Sequence, residues 1–127
     1  MHEISIIHSI LETVEEELRG RGNGYKVETI ELEIGELAGV EISTVEFLWP
    51  AAVEQTVLEH TNCRITRVGG SGSCHECGKS FPMQQYYDPC PTCGSHLIGI
   101  TAGEELRIKS LTLISSDTGP DMRPNWN

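Results

Sequence analysis

The chain opens on an amphipathic helical pattern. Ile4, Ile7, Leu11, Val14 and Leu18 recur at steps of three and four, while Glu12, Glu15, Glu16 and Glu17 fall largely off that stripe. A helix over residues 3–19 follows, ended by Gly20 and the turn residues Arg21-Gly22-Asn23-Gly24. From Lys26 to Ile34 the period drops to two. Ile30, Leu32 and Ile34 share one face and Thr29, Glu31 and Glu33 the other, as on a half-buried strand. Gly35 and Gly39 bracket a loop. A second helix begins at Ser43-Thr44-Val45-Glu46, a capping-box pattern with Ile42 and Phe47 placed as its hydrophobic staple. Val45, Leu48, Trp49, Ala52, Val53 and Val57 form its apolar face, and Pro50 is expected to bend it.

Cys63 to Val68 reads as a short strand, and Gly69-Gly70-Ser71-Gly72-Ser73 as a glycine hinge. Glu104 to Ile114 reads as the last strand. Leu106 and Ile108 lie on one face, Leu111 and Leu113 on the other, which predicts a bulge near Ser110. The tail Asp117 to Asn127, with Pro120 and Pro124, is expected to be disordered. The element order predicts an α+β fold: a small mixed sheet of about three strands with two helices, carrying an inserted zinc-ribbon-like subdomain with four cysteines. The expected division is a discontinuous α/β domain from residues 1–69 and 101–117, an inserted metal-binding subdomain over 70–100, and a tail over 118–127.

The insert carries the strongest chemical signal. Cys74-His75-Glu76-Cys77-Gly78 is separated by a short loop from Cys90-Pro91-Thr92-Cys93-Gly94. Two Cys-x2-Cys pairs can converge four thiolates on one tetrahedral ion, and zinc suits such a sulfur cage. Each pair is followed by a glycine, which can take φ > 0 and curl the backbone round a metal. Two disulfides or four unrelated buried cysteines are the alternatives, and an iron centre of rubredoxin type fits the same spacing. With four protein thiolates the zinc has no open position, so the site is structural. Cys63 reads as a buried strand residue, His60 as a surface turn residue, and His8 as a packed or capping histidine. His75 reads as an exposed neighbour of the thiolates.

Charge narrows the function. Residues 1–60 hold three basic residues against thirteen glutamates and carry the whole net charge of −10, whereas the remainder holds six of each sign. Lys79 is nearly alone at the knuckles, so the basic face of a nucleic-acid binder is missing. A solvated acidic face explains most of the glutamates, and cationic partners or metal ions are compatible with them. No apolar run approaches the ~20 residues of a bilayer span, and the start does not resemble a signal peptide. A cytoplasmic, reducing location is expected, which favours metal over disulfide. No nucleophile–base set or phosphate-binding glycine loop is readable, so no enzyme is expected.

The chain begins Met1-His2-Glu3. The amine of Met1, the amide nitrogen of His2 and its ring nitrogen can close fused chelate rings about one cation. The amide of Glu3 or another imidazole can fill a fourth planar position. Planar nitrogen donors favour Ni(II) or Cu(II) over zinc, and donor order alone ranks copper above nickel. An exposed histidine on a frayed end is the alternative.

Taken together, Met1-His2-Glu3, the segment Ile34-Gly35-Glu36-Leu37-Ala38-Gly39-Val40, the paired knuckles and Gly103-Glu104-Glu105-Leu106-Arg107-Ile108-Lys109-Ser110-Leu111 resemble the HypA/HybF family. These are nickel-delivery accessory proteins of NiFe-hydrogenase maturation, and the resemblance covers residues 1 to about 115. It implies a nickel metallochaperone that holds Ni(II) reversibly at Met1, His2 and Glu3, with structural zinc on Cys74, Cys77, Cys90 and Cys93. It implies as partners a nickel-handling maturation GTPase and the hydrogenase large-subunit precursor. His96 resembles a position where some relatives present a further nickel ligand. Trp49-Pro50 and Glu104 depart from the family pattern and put partner contacts in doubt. The rival readings are a zinc-ribbon adaptor in transcription or translation, and a metal-dependent hydrolase using His2, His8 and glutamates.

Overall fold

The computed structural model describes residues 2–22 and 24–115. Its elements in chain order are α1 (Glu3–Arg21), β1 (Tyr25–Gly35), α2 (Ile42–Ala52), β2 (Asn62–Val68), β3 (Gly70–Cys74), β4 (Ser80–Met83), β5 (Ile98–Ala102) and β6 (Leu106–Ser115). They form two three-stranded sheets, ordered β2-β1-β6 and β4-β3-β5. The fold is α+β, with two helices, small sheets and a four-cysteine cluster. The predicted tail lies outside the described residues.

The described residues divide into two compact units. One comprises His2–Glu31, Glu41–Arg64 and the residues from Ile108. In it α1 buries Ile6, Ile7, Ile10, Leu11 and Val14 and packs with α2. The predicted stripe is therefore shifted towards Ile6 and Ile10. Ile4 is left 39% exposed, because an isoleucine-rich first half supports two overlapping stripes. The helix passes through Gly20 to Arg21, and Gly22 stops it with φ 90° and ψ −170°, a backbone that side chains disfavour. Burying Ile7 and Val14 completely is worth about 1.5–3 kcal/mol each.

The start of α2 differs from its capping-box reading. Glu41, not Ser43, occupies the N-cap position, and no side chain of its own neighbourhood caps the helix. Phe47 is 82% exposed, so it cannot staple Ile42, which is buried. The N–H of Glu41 donates instead to the Glu3 carboxylate at 2.9 Å, 38 positions away. The cap pattern was local, whereas the donor's partner is tertiary. Val45, Trp49 and Val53 are buried as predicted, and the helix ends two residues beyond Pro50. Leu58, in the following turns, is fully buried.

On β1, Ile30, Leu32 and Ile34 are buried in alternation, as predicted. On β6, Ile108, Leu111, Leu113 and Ile114 are half-buried, while Lys109 and Ser110, between the first two, are both exposed. Burial thus changes parity at the place where the bulge was expected.

The second unit comprises Leu32–Val40 and Ile65–Arg107. Its core is Leu37, Cys74, Phe81, Met83 and Cys90, with Ile98 and Ile100 packed against it. Here the predicted hinge is overturned. Residues 70–74 form β3, the central strand of their sheet, paired antiparallel with β4 on one side and β5 on the other. Gly70 and Gly72 are glycines because neighbours come too close for a side chain. A Cβ on Gly70 would overlap the Met83 carbonyl oxygen and lie 2.9 Å from Leu37, and one on Gly72 would strike the Met83 sulfur. Leu37 enters this core from the loop after β1. Its N–H donates to Gly103 at 2.7 Å, and the Gly35 and Glu36 N–H groups donate to Glu105 and Val68 at 2.7 and 2.9 Å. Glu33 pairs with Arg107 through the guanidinium Nη2 and Nε, both at 2.6 Å.

Candidate metal centre

The two knuckles are built alike. In the first, the Cys74 N–H donates to Lys79 at 2.9 Å, and its carbonyl accepts from Gly78 at 2.9 Å. In the second, the Cys90 N–H donates to Ser95 at 2.9 Å, and its carbonyl accepts from Gly94 at 2.8 Å. Gly78 and Gly94 have φ of 78° and 75°, a conformation that side chains disfavour. The same local sequence thus gives the same turn twice. The N–H groups of Glu76 and Cys77 both point at the Cys74 sulfur, each at 3.4 Å.

The four sulfurs lie within 4.8 Å of one another, with Cys74–Cys93 and Cys77–Cys90 each at 3.6 Å. Four sulfurs at roughly 2.3 Å from a tetrahedral zinc would be about 3.8 Å apart, so the donor set fits such an ion. None of the five cysteines is disulfide-bonded, and 3.6 Å is far beyond the ~2.05 Å of an S–S bond. Cys74 and Cys90 are buried and Cys77 and Cys93 exposed, so the cluster sits at the rim of the unit's core.

The electrostatics point to a cation. The Cys90 thiol is pushed down to about 6, first by the N–H of Cys93 and then by that of Thr92. Cys74 is likewise lowered, first by the N–H of Cys77. At Cys93 the N–H of Ser95 favours the thiolate, but the neighbouring Cys74 sulfur and desolvation outweigh it and carry the thiol up to about 12. Four thiolates this close cannot all be charged without a positive ion between them. Cys63, on β2, is not part of the cluster, and burial, with the Glu46 carboxylate, pushes its thiol up to about 11.

Of the other residues singled out by sequence, Met1 lies outside the described residues. His2 is exposed at the N-cap of α1, and its carbonyl accepts the N–H groups of Ser5 at 3.1 Å and Ile6 at 3.3 Å. Glu3 is half-buried, and its carboxyl is held below the usual carboxylate range, first by the Glu41 N–H. His8 is exposed on the helix surface, neither packed nor at a cap. His60 is exposed. His96 is exposed after the second knuckle, and its carbonyl accepts the Ile98 N–H at 3.0 Å. His75 is exposed, with its ring beside Gly99.

Two further residues shape the metal-binding unit. The Asp88 carboxylate accepts the N–H groups of Gln84 and Gln85 at 2.9 and 3.1 Å, fixing the loop before the second knuckle. The Tyr86 hydroxyl donates to Glu104 at 2.6 Å. An aspartate closing a polar loop was a visible signal for the first. The tyrosine contact had none.

An α+β protein whose one clustered donor set, among the described residues, is a four-thiolate centre belongs with the metal-binding proteins. Comparison with known proteins makes this specific. Residues 1–113 match the family model described as HypA, hydrogenase/urease nickel incorporation, metallochaperone. The chain belongs to this family. It is 46% identical over 113 residues to the hydrogenase maturation factor HypA of Parabacteroides distasonis, covering 89% of this chain and 97% of that one. It is 44% identical over 111 residues to that of Geobacter metallireducens, covering 87% and 97%. The solution structure of the Ni metallochaperone HypA from Helicobacter pylori superposes with a TM-score of 0.64 at 26% identity, over 91% of this chain and 99% of that one. The family is one of metallochaperones and not of enzymes.

Proposed function

We propose that the protein is a nickel metallochaperone of hydrogenase maturation that binds Ni(II) at its N-terminus and keeps a structural zinc in the Cys74, Cys77, Cys90 and Cys93 cage. The observation that carries this reading is the family match that starts at residue 1 and so includes Met1-His2-Glu3. The site chemistry agrees with it. A closed sulfur cage has no position for an exchanging cargo ion, so cargo belongs elsewhere. Nitrogen donors on an exposed chain end offer planar geometry and rapid exchange. His96 is the further ligand in this reading, engaged during transfer.

The partners are a nickel-handling maturation GTPase and the hydrogenase large-subunit precursor, met in the cytoplasm. No described helix is long and apolar enough to cross a membrane. The acidic first sixty residues oppose binding to nucleic acid, which counts against the transcription or translation adaptor. The test is nickel titration of the His2→Ala protein with its native start. Nickel binding is expected to disappear with zinc content and fold unchanged, and an unaltered titration would refute the site.

A further inference from the structure

The Glu3 side chain has an employment that the N-terminal motif does not announce. Its Oε2 accepts the backbone N–H of Glu41 at 2.9 Å. Glu41 precedes α2, has extended backbone with φ −82° and ψ 100°, and receives no cap from a neighbouring side chain. Its own carbonyl is used by the first turn of α2, accepting from Thr44 at 3.1 Å and Val45 at 3.2 Å. Glu3 supplies the protein acceptor for this exposed N–H. On the other side, the His2 carbonyl is held by the Ser5 and Ile6 N–H groups, which orients the His2–Glu3 peptide along the helix. The peptide nitrogen of Glu3 belongs to the first turn of α1, where N–H groups have no helical carbonyl to bond, and its N–H also donates to the Glu3 carboxylate.

We propose that Glu3 is a positioning residue for nickel. Its carboxylate grips the Glu41 N–H and is not a ligand. This rests on the N-terminal nickel site proposed above. Chelation by the chain end has to order Met1, His2 and the Glu3 backbone together, and each free residue resists that ordering. A side chain tied to α2 fixes the third of these in advance, so the metal orders only the first two. A carboxylate recruited to the metal would have to release Glu41 and leave its N–H without this acceptor. The planar nitrogen set is complete without it.

The bond can be removed from either end. Glu3→Ala deletes the acceptor and Glu3→Gln keeps one oxygen in place. Glu41→Pro deletes the donor, at a φ close to the about −65° that proline adopts. The probe is Ni(II) alone, titrated in competition with a chelator, with zinc content and circular dichroism confirming the fold. Loss of one charge-assisted hydrogen bond at a half-exposed site should weaken nickel about three- to tenfold in Glu3→Ala and in Glu41→Pro. The double variant should be no weaker than either single one. Glu3→Gln should stay within about twofold of the parent and keep the Glu41 amide slow to exchange. The ligand-field band should keep its position in all of them.

Equal losses in Glu3→Gln and Glu3→Ala, with Glu41→Pro unaffected, would make the carboxylate a ligand and overturn the proposal. An unchanged affinity in Glu3→Ala would overturn it as well. His2→Ala separates the two levels. Nickel retained there removes the N-terminal site itself, whereas nickel lost there and retained in Glu3→Ala removes only the positioning role. If Glu41→Pro does not fold, the Ala–Gln pair at position 3 decides alone.

Discussion

Gly70→Ala distinguishes a packed strand from a hinge. In a flexible linker the added methyl would stiffen the unfolded chain and stabilise the protein by about 0.4–1 kcal/mol. In β3 it has nowhere to go. The new Cβ would overlap the Met83 carbonyl oxygen and press on Leu37 Cγ and Cδ1, both at 2.9 Å. Leu37 is itself 3% exposed and packed with Cys74 and Cys90, so it cannot swing into solvent. Backbone atoms of β4 and the core must therefore shift together, which costs about 1–3 kcal/mol for overpacking, with the backbone clash placing it at the upper end. Gly69→Ala is the control, since nothing lies within 4 Å of the position its Cβ would take. The assay is thermal unfolding of the zinc-loaded proteins, paired with zinc release to a chromophoric chelator. A destabilisation of this size corresponds to a fall in Tm of roughly 10 °C for Gly70→Ala, against a neutral or slightly raised Tm for Gly69→Ala. Equal Tm values for both variants would show that the strand is a linker after all.

Other expected outcomes follow from the same geometry. Leu37→Ala should destabilise the metal-binding unit by about 2–4 kcal/mol and speed zinc loss to a chelator, because the cavity opens in the core that also holds Cys74 and Cys90. Acid should release zinc. A thiol whose folded-state pKa is depressed contributes stability above its unfolded value and loses it as pH falls through the folded value. Cys90 and Cys74 are both depressed in this way and bound zinc would hold their thiols lower still, so indicator-detected zinc should stay low at neutrality and rise on acidification as protons displace it. A pH-independent release curve would contradict thiolate ligation. Arg107→Ala should change urea unfolding by less than about 1 kcal/mol despite its short contacts, since the arginine is 66% exposed.

What was legible in the sequence was whatever is decided locally. The knuckles are local chemistry repeated twice, and Gly78 and Gly94 announce their backbone. The alternation of Ile30, Leu32 and Ile34 and the parity change between Ile108 and Leu111 are written in side-chain type. The features that escaped are decided by distant partners. A Gly-Ser run has no side chains to mark a face, so β3 reveals itself only through strands β4 and β5 that pair with it from farther along the chain. Leu37 sits in a polar loop between glycines. An apolar residue there was a signal of insertion into a core, but nothing said which core. The capping box at Ser43 is not formed: the helix starts two residues earlier, after Glu41, whose N–H has its acceptor in Glu3, 38 residues back in the chain. Phe47, placed as a staple, faces outward.

The most direct measurement concerns the first amino group. Nickel titration should be run on the native protein and on protein acetylated at Met1, with zinc measured on both samples. If that amine is a nickel donor, acetylation will abolish specific uptake and the ligand-field band while zinc stays at one per chain. Undiminished nickel uptake by the acetylated protein, with zinc intact, would contradict nickel binding at the chain end.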